Sequence, residues 1–223
     1  MRIVLLSIIL LFTYPVEVQA GNADVMQGVK RLEQINKRKP EQSSNYERSK
    51  DVLSGRMLDK TNRVVGKLND IVLDRSGSIE MLDINFDRLR IDAKRLNLNY
   101  GQFGIRPASN GYKMSYTDDQ IIELVPELLA NIETASGRNT NTYSVKKLIG
   151  RTVYSRDGRK IAKISDILFD SAGNRAEFAL VKMEYKGVRG KKFAIPFSVP
   201  SYRGKKISVK NDFADAMIEY AAN

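Results

Sequence analysis

"AKISDILFDSAGN", Ala162 to Asn174, is written twice in this chain. The other version is "GKLNDIVLDRSGS", Gly66 to Ser78, 96 positions earlier. Of the first twelve aligned pairs, five are identical: Lys67/Lys163, Asp70/Asp166, Ile71/Ile167, Asp74/Asp170 and Gly77/Gly173. Chance would give about one match or fewer over such a window. The likeness spreads outward in order. "LSGR" (Leu53–Arg56) faces "LIGR" (Leu148–Arg151), and "RLNLNY" (Arg95–Tyr100) faces "KFAIPF" (Lys192–Phe197). "NGYKMSYTDD" (Asn110–Asp119) then faces "RGKKISVKND" (Arg203–Asp212). An ordered series with small length changes is the mark of a duplicated domain.

Inside the repeated phrase the apolar positions change phase. A half-buried strand buries every second residue. Ile164 and Leu168 keep that rhythm while Ile167 and Phe169 take the other face, and Leu68, Ile71 and Leu73 shift likewise. A β-bulge at Ser165-Asp166 and at Asn69-Asp70 accounts for the shift and bends the strand as a small barrel requires. Asp70 and Asp166 would then accept hydrogen bonds from backbone N–H groups that the bulge leaves unpaired. As catalytic or metal-binding groups they would stand alone, one carboxylate per repeat. Asp170 and Gly173, like Asp74 and Gly77, take the first and fourth places of a type I turn.

Turn signals follow at short intervals in the second repeat: Asp157-Gly158, Gly187 with Gly190, and Arg203-Gly204. Between them run β-branched and aromatic segments, Lys160–Phe169 and Arg175–Tyr185. This pattern predicts a mainly β fold, two small β-barrels in tandem, each followed by a short terminal helix. The first such helix is "TDDQIIELVPELLANI" (Thr117–Ile132), opened by a Thr117/Gln120 capping box. The second is "NDFADAMIEYAAN" (Asn211–Asn223), with Phe213, Met217 and Tyr220 on one face. The expected organisation is a signal peptide over 1–20 and a short helix with a flexible tether over 21–51. A divergent first barrel follows over 52–134, then a linker over 135–144 and a second barrel over 145–223. The tether is "NKRKPEQSSNYERSK" (Asn36–Lys50), polar and broken by Pro40.

The run "LIGRTVYSRDGRKIAKISDILFDSAGNRAEFALV" (Leu148–Val181), followed by "KKFAIPFSV" (Lys191–Val199), resembles the PRC-barrel family. Gly150, Gly158, Lys163, Asp166, Asp170, Gly173 and Ile195-Pro196-Phe197 fall where that family has its marks. The first repeat resembles it from Gly55 through Gly66, Asp70, Asp74 and Gly77 to "LNLNY" (Leu96–Tyr100). It departs at Asn99, where the family has proline, and lacks a glycine turn around Arg88–Ala93. The resemblance implies a small barrel used as a docking module. Relatives include the extramembrane domain of the photosynthetic reaction-centre H subunit and the C-terminal domain of a ribosome-maturation factor. It implies that Asp70, Asp74, Gly77, Asp166, Asp170, Gly173 and Pro196 are scaffold, and no binding residue carries over.

Composition narrows the chemistry. The chain has 223 residues, no cysteine and no histidine. Without histidine there is no Ser-His-Asp or Cys-His catalysis and no imidazole metal site. Without cysteine, stability rests on packing. No Walker-type phosphate loop occurs, and no cofactor, catalytic residue or metal ligand is assigned. Ser144-x-x-Lys147 imitates a Ser-Lys nucleophile pair but lacks the accompanying Ser-Asp-Asn and Lys-Thr-Gly elements. At the N-terminus, Arg2 precedes the apolar run Ile3–Phe12, and Val18-Gln19-Ala20 ends in a small residue. This is the pattern of a secretory signal peptide cleaved after Ala20, its apolar run too short to span a bilayer comfortably. The expected product is exported to the periplasm and is not an integral membrane protein after cleavage.

The net charge of +11 favours anionic partners. Candidate cations lie on two turns of the second repeat: Lys186, Arg189, Lys191 and Lys192 on one, Arg203, Lys205 and Lys206 on the other. Tyr185, Phe193 and Tyr202 lie among them, placed either to grip a headgroup or acidic face between cations or to fill the barrel interior. The expected function is a non-enzymatic docking module for an envelope protein or an anionic surface, with nucleic acid disfavoured by export. The alternative is a histidine-independent envelope hydrolase or transferase using Asp and Lys.

Overall fold

The computed structural model describes residues 17–89, 95–101, 103–109, 111–124, 142–202 and 206–223. Most of the expected signal peptide, residues 135–141 of the expected linker and the later half of the first terminal helix fall outside them. The chain is mainly β, in two sheets.

The N-terminal sheet is built from β2 (Arg56–Leu58), β3 (Val64–Leu73), β4 (Ile79–Asn85), β5 (Arg95–Asn99), β6 (Arg106–Ala108) and β7 (Gly111–Lys113). Their order is β5-β4-β3-β2-β7-β6. The C-terminal sheet is built from β9 (Thr152–Ser155), β10 (Lys160–Asp170), β11 (Ala176–Met183), β12 (Lys192–Pro196) and β13 (Ile207–Val209), in the order β12-β11-β10-β9-β13. Antiparallel hairpins make up most of each sheet, with one parallel pair in each: β9 with β13, which ends the C-terminal run, and β2 with β7, beyond which β6 adds an antiparallel strand. Among the described residues neither sheet closes on itself. A helix follows each: α3, described over 118–124, and α5 (Asn211–Ala222). At the start of α3 the backbone N–H of Thr117 donates to Gln120 Oε1 at 3.0 Å, and the Gln120 N–H donates to Thr117 Oγ1 at 3.4 Å. The capping box is formed.

The strand register shifts between Leu68 and Asp70 in β3 and between Ile164 and Asp166 in β10. These are the bulges that the phase change implied. Beyond the second one, β10 is buried on both faces. Ile167 and Phe169 join the main core, while Leu168 packs with Leu180 and Ala194 beneath Ile35, Tyr46 and Phe178. Burying a side chain of this size contributes about 2 kcal/mol. The main core is one continuous cluster that takes residues from both sheets, including Ile71, Leu82, Tyr112, Ile167, Phe197 and Met217.

Continuity of the core follows from an exchange of arms. Short β1 (Tyr46–Arg48) precedes the N-terminal sheet in sequence but pairs with β10, Tyr46 opposite Asp170 and Arg48 opposite Leu168. Short β8 (Tyr143–Ser144) precedes the C-terminal sheet but pairs with β3, Ser144 opposite Val72. Each arm runs into a short helix, α2 (Ser49–Leu53) and α4 (Val145–Leu148). The flexible tether expected over Asn36–Lys50 is therefore corrected: Pro40 is buried in a 3-10 turn, and β1 and Ser49 are packed into the far sheet. Composition misled because its polar groups have partners 117 to 158 positions away.

α1 (Glu17–Lys37) begins ahead of Ala20 and is longer than the short helix expected. It lies against α5, where a Cβ on Gly28 would come within 2.7 Å of the Ala216 Cβ, so glycine permits the approach. At its other end the Asn36 amide donates to the Ala194 carbonyl at 3.0 Å and accepts from the Ala194 N–H at 2.7 Å. One side chain thus satisfies both outward backbone groups of Ala194 in β12, the last strand of its sheet path.

Candidate functional site

The repeated aspartates have close partners. Asp166 is 4% exposed; Oδ1 accepts from the Ser49 hydroxyl and from the Ile167 N–H at 2.9 Å, and Oδ2 accepts from Arg48 Nε at 2.7 Å. Asp70 is half-buried; Oδ2 accepts from the Ser144 hydroxyl, and Oδ1 from the Ile71 N–H at 2.8 Å and the Lys146 N–H at 3.1 Å. Each carboxylate thus fixes its own bulge and the arm that arrives from the other repeat. The bulge half of that role was readable in sequence. The arm half was missed, although Ser49 and Ser144 occupy matching places ahead of "LSGR" and "LIGR". Ser144 also accepts from the Lys147 N–H at 3.1 Å as the N-cap of α4, so its hydroxyl is engaged on both sides.

The turn residues of the phrase reach across as well. Asp74 accepts from Ser76 Oγ at 2.7 Å and the Ser78 N–H at 2.8 Å, and Asp170 from the Asn174 N–H at 2.8 Å. The Gly77 carbonyl accepts from the Ala176 N–H at 2.8 Å, and the Gly173 carbonyl from the buried Tyr112 hydroxyl at 2.9 Å. Both turns thus contact the opposite sheet. Pro196 pairs opposite Phe178 at the end of β12. Between the turn at 171–174 and the α2–β2 corner lies a cleft of about 970 Å³, lined by Glu47, Asp51, Arg56, Pro107, Tyr112 and Gly173.

The basic turns are arranged otherwise. Lys186, Arg189, Lys191 and Lys192 are exposed, and none forms an ion pair among the described residues. The nearest acid in sequence, Glu184, instead pairs with Lys160 at 2.9 Å and Lys163 at 3.2 Å. The hydrogen bond from Lys160, with Lys163 beside it, outweighs burial and holds the Glu184 carboxyl below its ordinary range. Gly187 and Gly190 carry φ of 94° and 92° with open space where a Cβ would stand, while Val188 between them is buried in the core and anchors the turn. Lys206 is exposed, its Nζ 5.4 Å from the centre of the Tyr154 ring. Arg203 and Lys205 lie outside the described residues.

Of the two roles open to the interleaved aromatics, the interior one holds. Phe193 is buried edge-on to Tyr220 at 5.0 Å. Tyr202 is buried, stacked on Phe197 at 4.9 Å, and donates to the Phe197 carbonyl at 2.8 Å. Tyr185 is half-buried against the core. The two turns are also not adjacent along the sheet: Lys192 begins β12 and Lys206 precedes β13, the opposite ends of the strand order.

Among the described residues no group of three acidic side chains is placed to hold a metal ion, and no helix is long and apolar enough to cross a membrane. The family model of the PRC-barrel domain matches residues 140–215, from the arm β8 into α5. No curated protein matches the chain.

Proposed function

We propose that this chain is a non-enzymatic docking protein of the cell envelope, built from two PRC-type barrels in tandem behind a cleaved signal peptide. The second barrel is the segment that the family model matches; the first is the N-terminal sheet, whose order β5-β4-β3-β2-β7, antiparallel but for its one parallel pair, follows the plan of β12-β11-β10-β9-β13 with β6 added beyond it. A basic exported protein meets acidic protein faces and anionic headgroups, and fixed cations steer such partners to a surface. The observation that carries this reading is the turn 186–192, where four exposed cations stand on a glycine-flanked loop without a carboxylate partner among the described residues.

An Asp/Lys hydrolase would need carboxylates and a lysine together at a pocket; Asp70 and Asp166 are engaged by Ser144 and Ser49, and the cleft that carries Glu47 and Asp51 is lined by no lysine among the described residues. The test is capture from envelope extract, read by mass spectrometry, with wild type beside a Lys191→Glu/Lys192→Glu/Lys205→Glu/Lys206→Glu variant. A partner recovered by wild type and lost by the variant supports docking through the turns. Equal recovery removes the electrostatic part of the reading. N-terminal sequencing of the exported protein tests the cleavage after Ala20.

A further inference from the structure

A second basic feature lies away from those turns. Where α1 meets the junction of the two sheets there is a groove of about 340 Å³. Its cations are Arg31 from α1, Arg38 in the turn just past the end of α1, and Arg175 from the start of the β11 segment; its floor includes Ile35, Phe178 and Pro196. Arg31 lies about two turns before the end of α1 and Arg38 immediately after it, and both line the groove. Both are exposed, and neither has an ion pair or side-chain hydrogen bond among the described residues. Arg175 is aimed: its Nη2 donates to the Ser76 carbonyl at 3.2 Å, across the join between the sheets. Its Nε faces Glu177 at 3.9 Å, beyond hydrogen-bond reach. Three guanidinium groups against one loosely held carboxylate leave the groove with a net positive charge of two.

We propose that this groove is a binding site for a phosphate-type oxyanion, either free or borne on a lipid headgroup. Guanidinium forks suit oxyanions, and cations approaching from separate segments suit a tetrahedral group better than a planar carboxylate, which one fork can satisfy. The groove, open to solvent on one side, has room for a phosphate and a short carbon stem. The apolar floor would take the stem. The groove lies at the Pro196 end of β12, the turn 186–192 enters at its Lys192 end, and the two share no cation, so its success or failure is independent of the docking role given to those lysines.

The test uses the full chain. Inorganic phosphate is titrated by calorimetry against chloride at matched ionic strength. In parallel, co-sedimentation is measured with phosphatidylglycerol vesicles, with phosphatidylcholine vesicles as the baseline for attachment through the apolar run Ile3–Phe12. Variants are Arg31→Gln/Arg38→Gln/Arg175→Gln, Arg31→Gln/Arg38→Gln with the Arg175–Ser76 contact intact, and Lys191→Gln/Lys192→Gln; circular dichroism checks each fold. Expected is binding that falls about tenfold or more in both arginine variants and persists in the lysine variant. Loss of phosphate binding identifies a free anion; loss confined to phosphatidylglycerol identifies a headgroup. No binding of either probe by wild type, or binding that survives the arginine changes, overturns the proposal.

Discussion

The Ser49 hydroxyl donates to Oδ1 of Asp166, a residue 117 positions further along the chain. Its counterpart runs the other way, from Ser144 to Asp70. The two bonds cross, so each repeat supplies the arm that completes the other's bulged strand. One consequence is that neither sheet's stability is its own.

Removing the buried carboxylate should therefore be costly. Asp166→Ala strands the Ser49 hydroxyl, the Ile167 N–H and Arg48, and is expected to destabilise the protein by about 3 kcal/mol. Asp70→Ala, at a half-buried site, should cost roughly half that. Urea unfolding followed by circular dichroism measures both, and equal, negligible losses would show the crossed bonds to be incidental.

Two glycines with nearly the same backbone separate conformation from crowding. Gly77 and Gly158 have φ of 95° and 92°, but a Cβ on Gly77 would lie 2.3 Å from the Ala176 carbonyl oxygen while one on Gly158 meets nothing within 4 Å. Gly158→Ala should cost about 1 kcal/mol from the left-handed backbone alone. Gly77→Ala should cost clearly more, because the neighbour is the backbone of the opposite sheet. Thermal melts of the two variants in one buffer give the order directly.

Acid and alkali should act through different groups. Burial raises the Asp59 carboxyl, but the Thr61 hydroxyl and the backbone N–H groups of Arg63 and Thr61 outweigh it and hold the carboxyl below its ordinary range. A lowered folded value means stability that is present above about pH 4 and lost as the pH falls through the folded value. Asp59→Asn should flatten that acid limb. At the other end, burial, with Asp170 nearby, pushes the Tyr100 phenol up to about 12. Burial also raises Tyr112 and Tyr202. A raised folded value means stability present below about pH 10 and lost as the pH rises towards those values. Spectrophotometric titration of wild type against Tyr100→Phe should show one late phenol removed near 12.

Asn36 offers a test of edge protection. Asn36→Leu removes both bonds to Ala194 and should cost about 1–2 kcal/mol. Because an uncovered edge strand invites pairing with another chain, light scattering should also report more association than for wild type. An unchanged melt and an unchanged mass would show that β12 needs no cover.

Much of the β architecture was legible because it is locally encoded. The phase change at Ser165-Asp166, the glycine turns and the Thr117/Gln120 box each act within a few residues, so their geometry can be read from the residues themselves. What was not legible is long-range. Nothing local in "NYERSK" (Asn45–Lys50) says that Tyr46 will lie opposite Asp170 or that Ser49 will reach Asp166; polar composition suggested a tether instead. The candidate cations were visible as charge, but their surroundings were not. Tyr202 and Phe193 left both roles open in sequence, with filling the interior favoured over gripping a ligand, and their burial gives the interior role. The arginine groove draws on α1, the turn at Ser76 and the β11–β12 hairpin, and no single stretch of sequence announces it.

Docking through the turn 186–192 is best examined by the salt dependence of partner capture. Recovery of the captured partner is measured from about 50 to about 300 mM salt, where screening shortens the reach of exposed charges. Wild type should lose most of its recovery across that range, and the Lys191→Glu/Lys192→Glu/Lys205→Glu/Lys206→Glu variant should start low and stay flat. Two superimposable curves, insensitive to salt, would mean that the basic turns take no part in binding.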